Sequence, residues 1–226
     1  MLADVTIKSV PARRLAVAAS FASDGGDPGF SDVLCNDPRA AGSARRGVVP
    51  AAAVDYAESF MDGEGYRAWR YGHGMPCGPS ELPPGVLGAF EVNLDALGGL
   101  RASGGFVGAD YLRERSSRKG GRVKRRVMPV VIEGEGAAKA AAGDEVVVAR
   151  HGGFEGGNGV GRLLAAEDGR GLALLRLDRA MPAALEGAPP LESALGHDES
   201  WSKADPKVAF TVKPTVPSWW PRAWYE

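Results

Sequence analysis

Three groups of residues in this chain carry the chemical possibilities: a glycine-rich turn, an acid–amide pair and two thiols. The turn is Ser103-Gly104-Gly105-Phe106-Val107-Gly108-Ala109-Asp110. Glycine permits positive φ and lets a ligand or another backbone come close. The stretch therefore reads either as a loop that cradles a ligand or as a tight structural turn with Phe106 and Val107 buried. Upstream, Phe90-Glu91-Val92-Asn93-Leu94-Asp95 sets Glu91 two residues before Asn93. A carboxylate accepts hydrogen bonds from ring N–H and amino groups, and Asn93 is placed to orient it. The competing reading is a capping pair that holds local backbone. Cys35 and Cys77 have no second Cys or paired His at metal spacing, so both read as ordinary free thiols. His73, His151 and His197 are scattered, with no Ser/His/Asp order and no His-Glu-x-x-His. The glycines of His151 to Gly161 fit neither a dinucleotide fingerprint nor a P-loop, and read as a loose hairpin.

Arg113, Arg115, Arg118, Lys119, Arg122, Lys124, Arg125 and Arg126 make the densest positive stretch, with Glu114 its one acid. Such a run can grip phosphates or an acidic partner. It reads equally as a solvated loop leading into an edge strand, where Lys and Arg discourage further pairing. Aromatic residues do not interleave with it, which argues against a nucleic-acid platform. A formal net charge of -1 gives no overall field toward nucleic acid or membrane. No apolar run approaches the ~18 residues that a spanning helix needs.

Those residues must be positioned by 226 residues in which Gly (32) and Pro (16) are both frequent, favouring turns and short strands over a helical bundle. Strands are expected near 4–10, 14–21 and 32–35. A helix is expected over 52–71, stopped by Gly72 and Gly74. A Pro/Gly loop follows over 75–88, then a short helix or turn over 90–97 and a glycine loop over 98–108. Strands are expected at 123–132, 145–149, 160–165, 172–177 and 208–212. Short strands separated by turn signals indicate a small β-barrel or sandwich. Trp219, Trp220 and Trp224 are expected to pack against it.

Six pieces occur in a particular order. They are Tyr66-Arg67-Ala68-Trp69-Arg70-Tyr71-Gly72-His73-Gly74-Met75-Pro76, then Phe90 to Asp95, then Gly104 to Gly108. Gly121 to Val130, Gly171 to Arg176 and Val216-Pro217-Ser218-Trp219-Trp220-Pro221 complete the series. In this the chain resembles the YgfZ-type folate-binding proteins, relatives of the glycine-cleavage aminomethyltransferase. It is most similar to the mitochondrial branch that assists iron–sulfur cluster assembly. The family motif reads Lys-Gly-Cys-Tyr/Phe-Ile/Val-Gly-Gln-Glu. Here Ser103, Gly105, Ala109 and Asp110 stand at its Lys, Cys, Gln and Glu positions. The family's N-terminal pocket-forming portion is not matched.

The resemblance implies an α+β fold. A partial aminomethyltransferase-like folate-binding domain is expected over 1–118 and a small C-terminal β-barrel over 119–226. It implies an accessory factor for iron–sulfur protein maturation in the mitochondrial matrix. Such a factor acts by folate or partner binding, its partners being assembly scaffold proteins and client apoproteins. The alternatives are a tetrahydrofolate-dependent aminomethyl transferase and a binding-only paralogue without the motif thiol. Tetrahydrofolate is the implied cofactor, and a stably bound cluster of the chain's own is not expected. The implied site is Glu91, Asn93, Gly104, Gly105, Phe106, Val107, Gly108 and Asp110, with Glu91 meeting the pterin.

Overall fold

The computed structural model describes residues 15–21, 34–36, 44–50, 63–97, 99–100, 104–117, 123–148, 159–184, 191–194 and 208–224. The chain divides into two compact units, Met1–Met61 and Asp62–Glu226. In the first, β1 (Leu15–Phe21) and β2 (Leu34–Asn36) lie on either side of β3 (Ala44–Pro50). Both pairings are antiparallel, with Leu15 opposite Pro50 and Leu34 opposite Gly47. β1 and β2 fall close to the strands expected at 14–21 and 32–35. β3 was not expected, because Ala-Arg-Arg-Gly-Val-Val-Pro shows no clear period of two. The strand expected at 4–10 lies outside the described residues.

The second unit is built on six strands. They are β4 (Arg125–Glu133), β5 (Glu145–Val148), β6 (Gly159–Glu167), β7 (Arg170–Arg176), β8 (Leu191–Ala194) and β9 (Val208–Pro214). All neighbours are antiparallel, and the order β4-β7-β6-β5-β8-β9 closes back onto β4. Closure removes most of the sheet edge that could pair with another chain, leaving the first part of β4 without β9 beside it. Asp168 (φ 47°) and Gly169 (φ 69°) make the two-residue turn between β6 and β7. Positive φ at both positions matches the right-handed twist of the hairpin strands.

Alternation along the strands explains why β4 and β7 are buried on both faces. Met128, Val130 and Ile132 enter the barrel core with Ala173, Leu175, Val146, Leu163, Phe210 and Val212. Their neighbours Val127, Leu172 and Leu174 face the other way. That outer face is covered by α1 (Gly63–Gly72), whose Tyr71 packs there with Leu87 and Val92. At Gly161 the β7 backbone comes so close that a Cβ would lie 1.9 Å from the Leu174 carbonyl oxygen. Only glycine allows β6 that approach.

Two further helices, α2 (Ala109–Ser117) and α3 (Leu177–Ala183), were not expected. α1 coincides with the second half of the helix expected over 52–71, and residues 52–62 lie outside the described residues. It ends at Gly72, as expected, and is followed by Gly74, whose φ is 68° and whose absent Cβ would meet Pro129 Cδ at 3.1 Å and Pro217 Cγ at 3.2 Å. The segment from residue 62 onward belongs to the same compact unit as the barrel, whose first strand starts at Arg125. Trp220 is buried in the barrel core, and Trp219 and Trp224 pack beside it edge to face. No helix among the described residues is long and apolar enough to cross a membrane.

Candidate functional site

The segment 88–97 is laid along β4. Val127 N–H donates to the Glu91 carbonyl at 2.7 Å, and Asn93 Nδ2 donates to the Val127 carbonyl at 2.9 Å. β9 takes up pairing with β4 only at Val130. Glu91 and Asn93 therefore stand in for a missing strand along the first part of β4. Pro129, which has no N–H to offer, sits near the changeover and accepts Thr215 N–H on its carbonyl at 2.9 Å.

Side chains reinforce this docking. Glu91 Oε1 accepts from Arg125 Nε at 3.0 Å and Nη2 at 2.7 Å, while Oε2 accepts Gly88 N–H at 2.9 Å. Arg126 is buried, bonds both Asp95 oxygens at 2.9 and 2.7 Å, and also donates to the Phe90 carbonyl and to Asn93 Oδ1. Its guanidinium lies 3.3 Å from the Trp224 ring centre. Asn93 is 1% exposed, and its φ of 63° is one that Asn tolerates better than other side chains. Glu91 and Asn93 thus act as a clamp. Both Glu91 oxygens and both ends of the Asn93 amide have protein partners.

Among the described residues no hydrogen bond joins Gly104–Asp110 to Glu91 or Asn93. Gly104, Gly105 and Gly108 have φ of 76°, 84° and 87°. Phe106 and Val107 are exposed, Val107 entirely so, and Tyr111 on the first turn of α2 is exposed beside them in sequence. The tight-turn reading with both side chains buried is therefore corrected. Three left-handed glycines turn the backbone outward and lift Phe106 and Val107 into solvent. A Cβ at Gly105 would meet nothing within 4 Å, so a thiol there would stand free, at a backbone conformation that side chains rarely adopt. Asp110 is exposed and pairs with Arg113 at 2.7 Å.

One constellation had no role assigned from sequence. Arg70 (4% exposed) and Glu81 (5%) form a bidentate pair at 2.9 and 2.7 Å. Tyr71 Oη donates to the same carboxylate at 3.0 Å and Cys77 N–H at 2.6 Å, while Arg70 Nη1 also reaches the Met75 carbonyl at 2.7 Å. Burial alone would raise the Glu81 pKa, but these donors hold it below the usual glutamate range. The only signal was the intact Tyr66–Pro76 block, which carries Arg70 and Tyr71 but not Glu81. Cys77, next to this cluster in sequence, is an exposed free thiol. The basic run also divides: Arg125 and Arg126 are spent on Glu91 and Asp95, Arg113 on Asp110, and residues 118–122 lie outside the described residues.

Residues 124–222 match the family model described as the CAF17 C-terminal β-barrel domain. In this part the chain is similar to the YgfZ/CAF17-like proteins. A similar protein is the iron–sulfur cluster assembly factor IBA57, mitochondrial, of Mus musculus, at 28% identity over 162 residues. That match covers 72% of this chain and 39% of the mouse protein, so the chain spans well under half the length of that relative. The β4–β9 barrel and the Trp219–Trp224 closure lie within or at the border of the matched domain, whereas the Gly104–Asp110 tip precedes it.

Proposed function

We propose that this chain is an accessory factor for iron–sulfur cluster assembly in the mitochondrial matrix, acting by holding partner proteins rather than by turnover. Support comes from the matched β-barrel domain, from the role named for the mouse relative, and above all from the exposed tip. Gly104, Gly105 and Gly108 present Phe106 and Val107 to solvent, with Asp110 at the start of α2. Apolar side chains held out on a turn are contact groups for another protein surface. The partners of this reading are assembly scaffold proteins and client apoproteins, and the cluster is their cargo.

The test is rescue of mitochondrial iron–sulfur enzyme activity in cells lacking the endogenous assembly factor. The wild-type chain is expected to restore activity, and Val107→Asp to abolish most of the rescue. The same substitution is expected to shift stability by no more than about 0.5 kcal/mol, since the side chain touches nothing. Full rescue by Val107→Asp overturns the tip as the contact.

The alternative, tetrahydrofolate-dependent aminomethyl transfer, needs Glu91 available to a pterin, and Arg125 and Gly88 occupy it. Folinic acid is accordingly expected to leave the melting temperature unchanged. A ligand at 100 times its dissociation constant would stabilise the fold by about 2.7 kcal/mol, so a rise of several degrees reinstates the folate reading.

A further inference from the structure

A cleft of about 310 Å³ opens where the end of α1 meets β4, the start of β7 and the segment after β9. Its walls mix polar and apolar surface, the apolar part including Val216, Pro217 and Trp219. Trp219 is held in place by its Nε1, which donates to the His73 carbonyl at 2.9 Å. Among the described residues, Arg170 is the one permanently charged side chain on the lining, and no acid lines the cleft.

Arg170 has no acidic partner among the described residues. The reason lies across the hairpin. Glu167 is its register partner on β6, but the Glu167 carboxylate is taken by Arg67 Nε and Nη2. The guanidinium instead lies against Gly72, where a Cβ would sit 2.6 Å from Arg170 Nη1. A side chain at position 72 would push it out of this place. Room for the guanidinium, absence of a competing acid and an adjacent indole wall make an anion site with an apolar flank. One guanidinium presents two parallel N–H donors, which match the two oxygens of a carboxylate. A phosphate dianion would leave its remaining oxygens without a second cation.

We propose that this cleft binds a small organic carboxylate, its anionic group on Arg170 and its apolar body against Trp219, Val216 and Pro217. The size suits a ligand at the small end of the usual range for such sites. The site is independent of the exposed tip, so its test and the rescue test fail separately.

The probe is benzoate, titrated into the full chain by calorimetry, with the amide shifts of His73 and Trp219 followed by NMR. Saturable binding is expected, with shifts centred on these residues. Benzyl alcohol, the uncharged counterpart, is expected to bind about tenfold or more weakly, and phenyl phosphate no better than benzoate. Arg170→Gln is expected to weaken benzoate about tenfold while the exposed position leaves the fold intact. Gly72→Ala keeps the charge but displaces the guanidinium, and is expected to weaken binding as well. The proposal is overturned by non-saturable binding, by equal binding of benzyl alcohol, by tighter phenyl phosphate, or by unchanged affinity in Arg170→Gln.

Discussion

Replacing Glu81 by Leu, or Arg70 by Met, is expected to destabilise the barrel-bearing unit by about 3–5 kcal/mol. For a unit of this size that lowers the melting temperature by roughly 6–20 °C. Each substitution leaves the opposite charge buried without a counterion, and the cost of that exceeds the worth of the pair itself. Glu81 Oε2 and Oε1 also serve Cys77 N–H and Tyr71 Oη, so Glu81→Leu orphans three donors. The double variant Arg70→Met/Glu81→Leu is expected to recover part of the loss, because neither charge then remains. About 1–3 kcal/mol should stay lost, since Cys77 N–H and the Met75 carbonyl still lack partners. Equal melting temperatures for the double and single variants would show that no charge is stranded, and would sink the argument.

The same cluster sets a dependence on pH. Glu81 titrates below the usual range in the folded chain, so the unfolded chain takes up the proton first. Its contribution is complete above the ordinary glutamate pKa and is lost as pH falls through the folded value. Tyr71 behaves oppositely. Burial, then the neighbouring Glu81 carboxylate, pushes its pKa up to about 12 from an ordinary 10.0. Its contribution is complete below pH 10 and is lost between about 10 and 12. In Glu81→Gln, the gap in melting temperature from the wild type is expected to narrow on acidification below the ordinary glutamate pKa.

The barrel was legible because its strands are two-sided. Val127 to Ile132 and Leu172 to Leu175 alternate between the core and the face under α1, so both strands read as near-continuous apolar runs. β8 was not legible, since Leu-Glu-Ser-Ala is too short to show a period and is placed by register against β5 and β9. α2 was hidden inside a charge run, where Asp110 and Arg113 pair along the helix surface instead of marking an apolar stripe. Glu91 and Asn93 stood out in the sequence, but residue types alone cannot distinguish a ligand's acid from a strand's stand-in. The deciding fact is which part of β4 lacks a strand partner, and that depends on where β9 ends, at Pro214, more than 100 residues after Asn93. Phe106 and Val107 were ambiguous for a related reason: apolar residues between glycines can turn in or out, and tertiary packing settles it.

Asn93→Ala is expected to cost about 2–5 kcal/mol, and Asn93→Gly about 1–2 kcal/mol less. Two effects combine in the alanine variant. Loss of the amide leaves the Val127 carbonyl without its donor and takes one acceptor from buried Arg126, worth about 1–3 kcal/mol. Alanine must also hold φ near 63°, which costs about 1–2 kcal/mol that glycine avoids. Chemical denaturation of the three proteins separates these parts, because the glycine variant keeps only the first. If Asn93→Gly is as stable as the wild type, the bond to Val127 contributes nothing, and segment 88–97 is not the surrogate strand that closes the free edge of β4. If the alanine and glycine variants are equally destabilised, the left-handed backbone at this position is not what the residue is selected to hold. A clamp of this kind also makes a statement about function. Asn93→Gly and Val107→Asp should differ in kind, the first losing stability with its rescue activity intact wherever the chain remains folded, the second losing rescue with its stability intact.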